Sequence, residues 1–401
     1  MSKLSNVSSY VPEKISVDSI DISEYITTDN LLQNKRGRVI AEKLPTQKVT
    51  RFKKNDILIA NIRPYLKKIW QADIDGGASS DVLVVRPNDV IDNNFLYYAL
   101  TQDSFFEYVM KGSKGTKMPR GDKSQIMDFV IPDLEIDEQI KIGKLLKSID
   151  QKIQINNQIN QELEAMAKTL YDYWFVQFDF PDQNGEPYKS SEGKMVYNPE
   201  LKREIPEGWG VASIRDFESN IITGKTPSRT NSDNFGGEIP FITIGDIRGN
   251  TYIYRTSETL TDLGASVQKN KYLPEESLCV SCIATVGEIG FTTEPSHTNQ
   301  QINSIVFEDE TNRYYLYFAL KNYFENANAS AKTGNTFANM NKEDFSGIKI
   351  IFPNKEIKNN FHKITEPYFS QIKCLQGQNQ QLTQLRDWLL PMLMNGQVKV
   401  E

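Results

Sequence analysis

Between residues 133 and 176 the apolar positions return in alternating steps of four and three: Ile142, Leu146, Ile149, Ile153, then Leu163, Ala167, Leu170 and Trp174. That spacing is a coiled-coil seam, and one helix over this stretch would run roughly 60 Å at 1.5 Å per residue. Two positions at its middle, Asn156 and Asn160, are polar. An amide there weakens packing but favours one register, because a shifted partner would bury it unpaired. A second seam runs through 354–401 as Ile357, Phe361, Ile364, Tyr368, Gln371, Leu375, Gln378, Leu382, Leu385, Leu389 and Met392. A shift of 222 residues lays Gln378 on Asn156, Leu385 on Leu163 and Met392 on Leu170. Both helices follow a proline, with Asp133 and Asn354 as the expected N-caps. Pro367 is expected to kink or break the second helix, and Gly377 to soften it.

The stretches ahead of the two helices repeat as well. Residues 1–132 alternate as short strands (ISVDSIDI, DILIANI, DVLVV), followed by the amphipathic helix NNFLYYALTQDSFFEYVM and the loop KGSKGTKMPRGDKSQ. The same order returns as EIPFITIGDI, SLCVSCIATVGEIGF, NRYYLYFALKNYFENA and AKTGNTFANMNKEDFSGIKIIFP. The fold class that follows is α+β, as two copies of a globular module and a long helix. Its expected segments are a first module at 1–132, a central helix at 133–176, a linker at 177–210 rich in Pro, Gly and Ser, a second module at 211–353 and a C-terminal helix at 354–401.

Composition narrows the class. Hydrophobic residues at 39% and charged residues at 24% describe a globular chain, and no apolar run approaches the eighteen or so residues of a membrane span. Three cysteines and no signal-peptide core point to the cytoplasm. The net charge of −6 argues mildly against nucleic acid, yet residues 1–132 carry 19 Lys/Arg against 16 Asp/Glu, while 201–353 carry 14 against 19. Charge alone decides nothing here.

Catalytic constellations are weak. The Cys279–Cys282 pair has metal spacing, but no second pair exists, and neither His297 nor His362 completes a ligand set. GKT at 224–226 lacks the first glycine of a phosphate loop, and no GxGxxG or nucleophile elbow is present. No metal site and no catalytic residue are expected. What stands out is a set of polar and basic loops: 34–39, 50–54, 62–68 and 111–123 in the first module, and 223–231, 297–303 and 332–342 in the second. Lys and Arg suit phosphates, while Arg, Asn and Gln pair bidentately with purine edges. Any one such loop is ordinarily a solvated surface; a glycine-containing polar loop before the last strand of both copies suggests equivalent use.

At these residues the chain resembles the specificity subunit of type I restriction–modification enzymes. SIDQKIQINNQINQELEAMAKTLYDYWF, EIPEGW, TGKTPS, LCVSCIATVGEIGF and TQLRDWLLPMLMNGQV carry the likeness, over essentially the whole chain. The resemblance implies two target-recognition domains separated by two long helices that form an antiparallel coiled coil. Each domain would read one half of a bipartite, asymmetric site in double-stranded DNA. The helices would set the spacing and dock two modification subunits, which supply S-adenosylmethionine and adenine methylation. Restriction subunits, with ATP and magnesium, would complete the nuclease. This chain itself would hold no cofactor and be non-catalytic. The first module departs from the family in lacking an EIPEGW-like lead-in.

The residues expected at DNA are Lys35, Arg36, Arg63, Lys117 and Arg120 in the first module, and Lys225, Thr226, Arg229, Gln300, Asn335 and Asn339 in the second. Asn156, Asn160 and Gln378 are expected to set the helix-pair register. The rival reading is a protein-binding scaffold with duplicated modules, which the acidic second module favours. A free-standing methyltransferase is a third.

Overall fold

The structure is a computed structural model, described over residues 1–115, 117–331 and 339–400. It divides into two compact units, Met1–Ile153 with Leu382–Glu401, and Gln154–Gln381.

In the first unit a four-stranded sheet runs in the order Ser8–Tyr10, Val82–Pro87, Ile57–Ala60, Ile69–Gln71. Its strands are antiparallel, with Leu58 facing Val84 and Trp70. Every residue of Ile57–Ala60 is buried, which explains a continuous apolar run where a half-exposed strand would alternate. A second sheet holds Lys14–Ile15, Val49–Phe52, Gly76–Ala78 and Tyr25–Ile26, the last pair parallel. Helix Asn93–Thr101 covers the first sheet; Asp92 caps it through Phe95 N–H at 2.8 Å. The short strand Ser2–Lys3 pairs with Val130–Ile131.

The second unit repeats this plan. Its sheet runs Ile221–Thr223, Ile302–Ile305, Leu278–Ser281, Ile289–Thr292 and adds Tyr252–Ile253 at the edge. Phe235–Ile242 lies between Glu258–Leu260 and, in parallel, His297–Thr298. Helix Arg313–Ala331 packs its aromatic face, with Tyr314, Tyr315, Tyr317 and Phe318 all buried, against Phe291 and Phe361. Strand Gly210–Ser213 pairs with Lys349–Phe352 as Ser2–Lys3 does with Val130–Ile131. The first module therefore keeps this edge strand. The second also has a hairpin ahead of it, Met195–Asn198 with Arg203–Pro206. The expected linker is packed, since Phe180 stacks on Trp209 at 4.8 Å and on Tyr188 at 4.7 Å.

Both long helices are present, Ile136–Tyr171, closing in a π-turn at Asp172–Val176, and Lys355–Met394. The segments read from the sequence and the compact units differ: the central helix passes from one unit to the other, and the chain's last stretch belongs with the first unit. Within the second unit Asn156 meets Gln378 and Asn379, while Tyr171 and Trp174 meet Phe361, so the two segments run antiparallel.

Three helix expectations are corrected. Asp133 is no cap, because the helix begins at Ile136 and Glu135 accepts from the Glu138 and Gln139 N–H groups; Asn354 does cap, accepting from Ile357 N–H at 2.8 Å. Pro367 does not break Lys355–Met394. Pro367 and Lys363, whose carbonyl loses its helical donor, are both exposed, so solvent can take that carbonyl. The buried stripe of the second helix also departs from the heptad. Thr365, Phe369 and Ile372 are fully buried, whereas Ile364 is 40% exposed and Gln371 is exposed. Here the helix packs on Phe291, Tyr314 and Tyr317 of its own module, and that surface selects the face.

The two glycines inside these helices are close-approach points. A Cβ on Gly143 would meet Asp92 Oδ1 at 2.5 Å and Phe95 N at 2.9 Å; one on Gly377 would meet the Tyr254 hydroxyl at 3.0 Å. Tyr254 donates to the Lys373 carbonyl at 2.7 Å, so this glycine admits a ring against the helix. No helix among the described residues is long and apolar enough to cross a membrane.

Candidate nucleic-acid interface

In an antiparallel sheet the end of one strand lies beside the start of the next. In the first unit this brings residues 61–68, which follow Ile57–Ala60, next to Asp81, which precedes Val82–Pro87. Two more loops are tied to the same end. Arg63 N–H donates to Pro119 O at 2.8 Å, Gly121 N–H to Asn61 O at 3.1 Å, and Asn34 and Lys35 N–H to Leu66 and Lys67 O, both at 2.9 Å. Lys35, Arg36, Arg63, Lys117 and Arg120, distant in sequence, thus share three loops bonded into one cluster.

Their states differ. Arg36, Arg63, Lys117 and Arg120 are exposed, with Arg120 Nη2 3.2 Å from Asp81. Lys35 is held down: it and Lys67 lie 2.8 and 2.9 Å from opposite oxygens of Asp103. Burial pushes the Asp103 carboxyl up, but the two ammonium groups outweigh it and hold it below its ordinary 3.8. Lys68 donates to Thr28 O, and burial lowers its ammonium below the ordinary lysine value. The cluster keeps a cationic excess, with exposed Lys114 beside Asp122 at 3.4 Å.

The second unit assembles the corresponding end from residues 224–226, 282–288, 298–301 and 339–340. Lys225 N–H donates to Thr298 O at 3.0 Å, Cys282 N–H to Gln301 O at 2.8 Å, and Met340 N–H to Cys282 O at 2.8 Å. Thr226 Oγ1 donates to Gln300 Oε1 at 2.6 Å, and Asn339 Oδ1 accepts from Ala284 N–H at 3.5 Å. Lys225, Gln300 and Asn339 are exposed and Thr226 half-buried. Arg229 belongs elsewhere: it makes a bidentate pair with Glu258 at 2.7 and 2.8 Å and lies over Phe235, on the smaller sheet. Asn335 lies outside the described residues. Of the polar stretch 297–303, His297 and Thr298 form a buried strand and Gln300 is the exposed member.

Sequence reasoning passed over several groups. Tyr65 and Lys67 sit in the first cluster, and Thr285 in the second, with Arg248 Nη2 3.3 Å from its hydroxyl. Arg248 also pairs with Glu288 at 3.0 Å. The available signal was positional, since 282–288 occupies the repeat position of 61–68.

Cys279 and Cys282 are buried, and burial pushes their thiols up to about 12 and about 11. Such thiols are poor nucleophiles and poor ligands at neutral pH. Among the described residues no cluster of three or more His, Cys, Asp or Glu side chains could hold a metal ion.

At the helix pair, Asn156 Nδ2 donates to Asn379 Oδ1 at 2.9 Å and reaches Gln378 Oε1 at 3.4 Å; Asn379 Nδ2 donates to Asn157 Oδ1 at 2.8 Å. Asn379, not named from the sequence, is thus the nearer mate. Asn160 is buried, and neither of its amide atoms has a hydrogen-bond partner among the described residues.

Comparison with known proteins gives consistent likenesses. Residues 12–165 and 206–384 each match the domain described as the type I restriction modification DNA specificity domain. The chain is 31% identical to the type I restriction enzyme HindI specificity subunit of Haemophilus influenzae, over 98% of each chain. It is 28% identical to the MjaIX specificity subunit of Methanocaldococcus jannaschii, over 79% of this chain and 72% of that one. In fold it is similar to the crystal structure of a type I restriction–modification S subunit from M. genitalium, with a TM-score of 0.57 at 15% identity, covering 98% of this chain and 95% of that one.

Proposed function

Because the chain belongs to the type I restriction–modification specificity-subunit family, we propose that each of its two α+β modules reads one half of a bipartite, asymmetric site in double-stranded DNA. The observation that carries this reading is the recurrence of one arrangement. In both modules the same end of the same sheet bears bonded loops that display polar or cationic side chains, and neither display is explained by core packing. A guanidinium such as that of Arg120 suits guanine O6 and N7 or a phosphate; the amides of Gln300 and Asn339 suit adenine N6 and N7.

The helices supply spacing and docking. On the central helix, within the second unit, Ile155, Ile159 and Met166 are 51%, 39% and 51% exposed; in the first unit Leu385 and Trp388 of the C-terminal helix are 43% and 57% exposed. Exposed apolar stripes of this kind fit partner subunits. Two modification subunits would occupy them and bring S-adenosylmethionine to the site; restriction subunits with ATP and magnesium would join these. The chain itself positions DNA and carries no reacting group.

The test is a methylation map of a genome whose host expresses this chain with its modification subunit. Two short adenine-methylated half-sites separated by a fixed gap are expected, and exchanging residues 1–132 for another module should change one half alone. A stable complex that leaves the genome unmethylated would instead make the chain a protein scaffold.

A further inference from the structure

One turn occurs in both modules and is strained in both. Three residues after the strand Ile57–Ala60, Arg63 has φ 53°; three residues after Leu278–Ser281, Ala284 has φ 66°. Neither residue is a glycine or asparagine, the types that adopt such angles readily, and such conformations persist where the surroundings over-determine them. Here the surroundings are the same loop in each copy, the one before the last strand. Arg63 N–H is bonded to Pro119 O and Gly121 N–H to Asn61 O; Ala284 N–H meets Asn339 Oδ1, and Met340 N–H is bonded to Cys282 O. In the first module Lys67 is left-handed too, at φ 50°, so the single turn Pro64–Leu66 is clamped at both ends.

The clamp displays particular side chains. Tyr65, at the centre of the first turn, is 50% exposed, beside exposed Arg63 and within the cationic cluster. In the second, exposed Thr285 accepts from Arg248. A rigid turn that presents a ring among cations has the chemistry of a groove reader. The cations meet phosphates or guanine, while the ring offers apolar contact to base edges, a thymine methyl above all. Thr285 offers a methyl and a hydroxyl to the same kind of target, with Arg248, itself paired with Glu288, holding the hydroxyl from one side.

Resting on the function proposed above, we infer that this strained turn is the base-reading element of each module, with Tyr65 determining specificity in the first and Thr285 in the second. The full chain with its modification subunits would be mapped as wild type, Tyr65→Ala, Tyr65→Phe and Thr285→Arg. Tyr65→Ala is expected to lower methylation roughly tenfold or more and to make one half-site degenerate at one position, leaving the other half intact. Tyr65→Phe keeps the ring and should keep both. Thr285→Arg should alter only the other half. Tyr65 is half exposed, so Tyr65→Ala should assemble normally; if it does not, Thr285→Arg decides. A wild type that methylates a bipartite site, with variants that keep both half-sites and rates within about twofold, overturns the inference but not the function. An unmethylated genome with wild type overturns both.

Discussion

Single residues in this chain divide by whether their polar atoms are already committed. Arg229 and Arg120 look alike in sequence, both arginines in polar loops. Their side chains are equally open, 60% and 59% exposed, but Arg229 is engaged by both oxygens of Glu258 and by Phe235, whereas Arg120 shares only one oxygen of Asp81. The two histidines, His297 and His362, are set by their surroundings. Burial holds both imidazoles below their ordinary 6.5, with nearby Arg313 adding to the effect at His362. Their folded-state values lie below their unfolded ones, so the unfolded chain takes up protons first as pH falls through about 6.5. Stability should therefore decline from neutrality toward about pH 5.5, and the paired variant His297→Gln with His362→Gln should flatten that slope in urea unfolding midpoints. An unchanged slope would mean that other groups govern it.

At the scale of elements, the long helices show where a heptad is sufficient and where it is overruled. Ile142, Leu146 and Ile149 lie buried as the seam requires. The first half of the C-terminal helix keeps Phe361 inward but beyond it turns Thr365, Phe369 and Ile372 inward instead of the seam positions, because a module surface and not only a helix receives it. The helix is further pinned where Lys358 bonds Asn312 and lies 3.2 Å from Asp309, and the central helix where Glu164 meets Lys321, Tyr317 and Thr251. The middle amides are unequal. Asn379 joins Asn156 and Asn157, so Asn379→Ala should cost about 1–3 kcal/mol by leaving amides unpaired. Asn160 has no such mates, so Asn160→Leu should stabilise the fold, by about 1 kcal/mol or more. Calorimetry of the two variants checks both signs; a destabilised Asn160→Leu would show that this amide contributes to stability where it stands.

For the whole molecule, net charge misleads. A chain at −6 looks unsuited to DNA, yet the first module's loop cluster holds Arg36, Arg63, Lys67, Lys114, Lys117 and Arg120 against few acids. DNA binding by the assembled complex should therefore fall steeply with salt, as bound phosphates release counterions. Charge-removing variants confined to the first module, such as Lys117→Ala with Arg120→Ala, should reduce the slope of log affinity against log salt by about one for each phosphate no longer neutralised. A flat dependence in the wild-type complex would favour a protein-binding scaffold.

Periodicity and repetition by themselves determined the two modules, the two long helices, the 222-residue repeat that lays Gln378 on Asn156, and the polar loops that carry the display. These signals can be read along the chain, because the residues that encode them are neighbours in sequence or stand at matching positions of the two copies. Only the tertiary structure decided which loop residues gather, that Arg229 is occupied, that Asn379 is the nearer mate of Asn156, and that Tyr65 and Thr285 stand on clamped turns. Those outcomes depend on hydrogen bonds between residues tens of positions apart, such as Arg63 with Pro119 and Cys282 with Met340. They depend equally on which face a packed neighbour leaves open. Neither leaves a period in the sequence, because backbone groups accept any side chain and an exposed position tolerates most.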